Sequence, residues 1–174
     1  MGQSEISPGQ VIADENALDG KARQQDAGNA VSSGALCPSA PWKQEGAVVF
    51  GIAGGTAKAP RVMFLKQMMA PAPELEAKLK GVEPEEVFRV AAPCAGARCQ
   101  HHNGETKGCN LATNIVQQVD QVYDQWATCG IRANCVWWAQ EGTKACVRCP
   151  QIATRNKVPS EEIRRASTPS PVSA

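Results

Sequence analysis

The sequence predicts an α+β fold: a short antiparallel β unit, then a helical Cys-rich metal-binding region, between disordered termini. Three observations carry this. Two apolar runs, "AVVFGI" and "RVMFL", flank the Gly-rich connection "AGGTAKAP". The stretch 110–127 repeats apolar residues at helical steps. Seven of the eight cysteines fall between Cys94 and Cys149.

At 174 residues, with 43% apolar residues, the length and composition suit one domain with its own core. The expected division is a disordered arm over 1–36, a domain over 37–153, and a disordered tail over 154–174. Within the domain, 46–92 is the β unit and 93–153 the Cys-rich region. The arm is polar and carries five carboxylates, Glu5, Asp14, Glu15, Asp19 and Asp26, against Lys21 and Arg23. Such a segment buries too little apolar surface to offset its ordering entropy. The tail "KVPSEEIRRASTPSPVSA" shows no periodic apolar face. Its "RRAS" is compatible with a basophilic kinase site, although a four-residue match is weak.

In the β unit the two apolar runs predict a hairpin, because turn residues separate two short β-type segments. "GIAGGTAKAP" lacks the Lys-Ser/Thr ending of a phosphate-binding loop and is a better hairpin turn. "PAPELEAKLKG" predicts a short helix, with Leu75 and Leu79 four apart and Gly81 as its stop. "EEVFRVAA" predicts a third strand running into Pro93-Cys94.

The segment "NLATNIVQQVDQVYDQWA" is the strongest helix signal. Leu111, Ile115, Val119, Val122 and Trp126 mark one face, with Asn110 as the expected N-cap and Gly130 as the stop. Cysteines lie at both ends of it. No repeat of fixed period is present.

The cysteines form two groups. "CAGARCQHHNGETKGC" holds Cys94, Cys99 and Cys109, with His101 and His102 between them. "CGIRANCVWWAQEGTKACVRC" holds Cys129, Cys135, Cys146 and Cys149. Cys37 stands apart and would complete a first set of four if folding returned it. The start "MGQSEISPGQVIADENALDG" has no basic n-region or apolar h-region, and the myristoylation pattern fails at Ile6. No apolar run approaches the roughly 18 residues of a membrane span. The expected location is therefore the cytoplasm, where a high cysteine count points to metal ligation or redox chemistry more than to disulfides.

Thiolates are soft anionic donors suited to zinc and to iron–sulfur clusters. Zinc modules usually offer two tight pairs, and only Cys146/Cys149 is a C-x2-C here. Iron–sulfur sites accept wider spacing, and proline follows both Cys37 and Cys149, as it follows a ligand in bacterial ferredoxins. Neither the ferredoxin C-x2-C-x2-C-x3-C-P nor the radical-initiating C-x3-C-x2-C is present. Trp137 and Trp138 would screen a cluster from water.

The favoured expectation is one or two iron–sulfur clusters of the 4Fe–4S kind on these eight cysteines. They would serve electron transfer, redox sensing or a larger partner enzyme. A structural zinc module that binds a protein or nucleic acid is the alternative, and a thiol-redox enzyme comes third. No catalytic residue stands out, since no thiol has a matched base and orienting partner. The net charge of +1 and the balanced charge of the Cys-rich region argue against a nucleic-acid surface. The expected partner is a redox protein or larger enzyme, not a membrane.

Overall fold

The computed structural model describes residues 34–56 and 58–169. Residues 1–33 of the arm expected over 1–36 and the last five residues of the tail lie outside them; Leu36 of that arm belongs to a strand. Four strands make one antiparallel sheet in the order β1-β4-β2-β3. They are β1 (Leu36–Cys37), β2 (Val48–Thr56), β3 (Ala59–Met69) and β4 (Phe88–Pro93).

The expected hairpin is β2–β3, whose register runs from Gly51 opposite Phe64 to Thr56 opposite Ala59. Gly55 at its turn has φ +78, and a Cβ there would collide with the Ala59 carbonyl. Only glycine fits such a bend without strain. The third strand is β4, which pairs with β2 on the other side. A single helical turn, α2 (Pro84–Val87), precedes it, and the short helix α1 (Pro73–Lys78) lies where expected. The two-residue β1 gave no sequence signal. It pairs Leu36 with Pro93 and Cys37 with Ala92, which ties Cys37 to the end of β4.

Strand alternation divides the core in two. Val49 of β2 and Val90 and Ala92 of β4 pack with Ala40, Trp42 and Ala47 on one face. Phe50 and Ala91 face the other way, onto the helical layer. That layer comprises α3 (Asn110–Gln118), α4 (Val136–Glu141), α5 (Thr143–Cys146) and α6 (Glu161–Ser167). Leu111, Ala112 and Ile115 of α3 meet Ile131, Trp137, Ala145, Ile152 and Ala166 in the main core.

Two expectations need correction. The predicted helix over 110–127 ends at Gln118, half as long as its periodicity suggests, and begins after Cys109 rather than capped by Asn110. Beyond it, tertiary partners take the backbone groups. The Arg148 guanidinium donates to the Val119 carbonyl at 2.6 Å, Gln151 to that of Asp120 at 2.5 Å, and the Val122 N–H bonds the Val147 carbonyl. Val119 is already extended, as suits a β-branched residue with an outside acceptor for its neighbours.

The tail expected to be disordered from 154 contains α6 instead. Ser160 caps it by accepting from the Ile163 N–H, with Glu161 and Glu162 in the first turn and Arg164 and Arg165 in the last. Ala166 is fully buried in the main core, and Ile163 packs against it.

Candidate metal centre

The second group of cysteines converges on one cavity. Cys129, Cys135, Cys146 and Cys149 all line a pocket of about 30 Å³, walled by Phe50, Phe64, Trp137 and Trp138. One water needs roughly 10–15 Å³ by this kind of measure, so the space exceeds a single small occupant. Each cysteine arrives by a short local device. A single 3-10 turn, Arg132–Asn134, delivers Cys135 to the N-terminus of α4. Cys146 closes α5, and Cys149 opens the turn Cys149–Gln151, where Pro150 fixes the backbone.

Backbone pairing returns Cys37 to the end of β4, beside Cys94 of the first group. Burial, with smaller contributions from Cys109, Cys94 and Cys99 and against the opposing Ser39 amide, pushes the Cys37 thiol up to about 12. Sheet pairing explains the convergence: β1 lies on β4, whose end leads into Cys94, and the Cys94 N–H bonds the Ala35 carbonyl at 2.9 Å. The 3-10 turn Gly96–Arg98 delivers Cys99, as its counterpart delivers Cys135. Gln140 of α4 holds Cys109 by both backbone groups, accepting from its N–H at 2.7 Å and donating to its carbonyl at 3.1 Å.

The two quartets are neighbours. A parallel backbone bridge joins Leu36, next to Cys37, to Cys135. Adjacent bridged segments lie about 4.8 Å apart, so the backbone at Leu36 and at Cys135 is one strand spacing apart.

Burial dominates the thiol chemistry. It pushes Cys135 up to about 12 and Cys146 to about 11, with Cys149 adding to both. Burial raises Cys109, Cys129 and Cys149 as well. Several features oppose this. The N–H groups of Trp138 and Trp137 pull Cys135 down, and those of Ala112 and Leu111 do the same for Cys109, each at a helix start. The Arg132 guanidinium lowers Cys129 and Cys146, and Arg89 lowers Cys149.

Donors without acceptors surround the second cavity. The buried indole N–H of Trp137 and the Nε–H of Arg132 have no hydrogen-bond partner among the described residues. Arg132 also lies over the Trp138 ring at 5.1 Å. Arg89 is 3% exposed, has no carboxylate partner among the described residues, and aims Nη2 at the Cys149 sulfur from 3.8 Å. A buried polar group ordinarily has a partner, so these two unmatched donors, beside an Arg89 charge that meets only the Cys149 sulfur, favour an anion.

In the first loop, burial lowers the His101 pKa and its Nδ1 is buried without a partner, while its backbone N–H reaches the Cys99 sulfur at 3.4 Å. His102 bridges Cys109 by backbone pairing only.

All eight cysteines are free thiols. Among the described residues no three His, Cys, Asp or Glu side chains are drawn tightly enough to hold one metal ion. No helix there is long and apolar enough to cross a membrane.

Arg89 and Gln140 were missed by sequence reasoning. Arg89 left a faint mark as the one charge in "FRVAA", on the strand face shared with Ala91. Gln140 left none, since its role depends on α4 meeting Cys109. Comparison with protein-family models, with curated proteins and with solved structures found no match.

Proposed function

We propose that this chain is an iron–sulfur protein with two 4Fe–4S clusters, acting in one-electron transfer or redox sensing with a protein partner. Cys37, Cys94, Cys99 and Cys109 would hold one, and Cys129, Cys135, Cys146 and Cys149 the other. The observation that carries the reading is the second cavity: four thiols in one apolar wall, flanked by donors that lack acceptors. Thiolates and cluster sulfides accept from such donors, and their negative charge suits two nearby guanidinium groups.

Zinc is the poorer fit to this spread of donors. Tetrahedral zinc at a Zn–S length of about 2.3 Å draws its sulfurs to roughly 3.8 Å of one another. A four-iron cube holds one thiolate at each of four corners and so spaces them more widely. The apolar walls of Phe50, Phe64, Trp137 and Trp138 would limit water at a cluster, which protects it and tunes its potential. Half-exposed Trp126 tilts against Trp138 with ring centres 6.5 Å apart, which gives the second cavity an apolar rim for a redox partner.

Anaerobic purification, followed by metal and sulfide analysis and a visible spectrum, tests the proposal. Broad absorption bleached by dithionite, with iron and sulfide in equal amounts, is expected. Stoichiometric zinc without colour, or thiols found oxidised in pairs, would overturn it.

A further inference from the structure

The two quartets differ in one respect that matters for electrons: the cations around them. The second has two guanidinium groups at its sulfurs. Arg89 is buried on β4 and aimed at Cys149 from 3.8 Å, and Arg132 is at the cavity wall with a buried, unpartnered Nε–H. Neither has a carboxylate partner among the described residues, so neither positive charge is locally neutralised. The first quartet's loop supplies Arg98 and Lys107, and both are exposed. Solvent and salt screen exposed charges, whereas buried ones act nearly undiminished.

Reduction adds a negative charge to a cluster, so a buried cation and hydrogen bonds to its sulfurs favour the reduced form and raise the potential. We infer that the second centre, at Cys129, Cys135, Cys146 and Cys149, is the higher-potential of the two and that Arg89 and Arg132 set the difference. The inference rests on the two-cluster reading. With that order, a one-electron donor of low potential would reduce the first centre, which would be reoxidised as the electron passed to the second and on to a one-electron acceptor of higher potential. The Leu36–Cys135 backbone bridge ties the segments that carry the two sets of thiols. Arg89 and Arg132 are positioning residues here: they hold charge beside the cluster and take no part in bonding it.

The test is a potentiometric titration of the full chain, loaded anaerobically and followed by electron paramagnetic resonance. Two midpoints are expected, and Cys94→Ala with Cys99→Ala should remove the lower. Arg132→Gln should cut the reduced-to-oxidised ratio of the higher-potential centre at least tenfold at fixed potential, about 59 mV for one electron. The other midpoint should stay in place, and Arg132→Lys should restore most of the shift. Arg89→Gln should act similarly; should it fail to fold, Arg132, partly buried rather than in the core, still carries the test. Equal midpoints, loss of the higher one with Cys94 and Cys99, or a shift of both centres in Arg132→Gln would overturn the inference while leaving two clusters standing. Absence of iron and sulfide would end the two-cluster reading, and this inference with it.

Discussion

Cys37 and Cys135 show what loading must overcome at the level of single residues. Burial raises both thiols from 9.0 to about 12, so in the metal-free protein they are neutral near pH 7. The linkage has a definite sign. A folded pKa above the unfolded one means the folded state keeps protons that the unfolded state releases. This stabilisation is complete below about pH 9 and is lost as pH rises through 9 towards 12. The melting temperature of the metal-free protein should therefore fall above pH 9, and Cys135→Ala should flatten that fall. A melting temperature that climbs over this range would contradict the assignment. Ligation requires thiolate, so loading should release protons and become more favourable with rising pH. Trp137 is a second residue-scale test. Trp137→Phe keeps an aromatic in the wall but removes the unpartnered N–H. The loaded protein should fold and keep both clusters while the second centre's midpoint drops, because a hydrogen bond to the cluster is lost. An unchanged midpoint would mean that this N–H does not face the cluster.

Short elements place the cysteines, and the sequence revealed these elements unevenly. The hairpin and β4 were legible because turn residues and alternation are local signals. The extent of α3 was not, since Val119, Val122 and Trp126 continue a helical period that the chain abandons when Arg148 and Gln151 claim the carbonyls of Val119 and Asp120. The reverse error befell α6. Ser160 caps a helix with an acidic first turn and a basic last turn, but seven residues with Ile163 and Ala166 as anchors make no convincing apolar face in the sequence. Ser160→Ala should cost about 0.5–2 kcal/mol, read by urea unfolding, the usual range for a lost N-cap. No measurable loss would mean that α6 contributes little to the fold. Glu85 is another buried anchor, 4% exposed, accepting from the Trp42 N–H at 2.8 Å beneath the smaller core. Glu85→Ala leaves that donor unmatched and should cost about 1–3 kcal/mol in the same assay.

Across the whole molecule, the sheet and the helical layer are joined where the cysteines lie. β1 carries Cys37 to the sheet edge and bridges to Cys135, Arg89 reaches from β4 to Cys149, and Gln140 of α4 holds Cys109. Spacing alone suggested a set of Cys129, Cys135, Cys146 and Cys149, and these four line one cavity. The return of Cys37 was open, because it depends on a two-residue strand with no pattern of its own. Each quartet would close its own site, and this independence is the central claim. It is tested most directly by iron and sulfide analysis of two anaerobically loaded double variants, Cys94→Ala/Cys99→Ala and Cys146→Ala/Cys149→Ala, beside the unaltered chain. The account predicts about eight irons and eight sulfides per unaltered chain and half of each in either variant, since four thiolates hold each cube. Zinc in place of iron, or one variant losing everything while the other loses nothing, would contradict it.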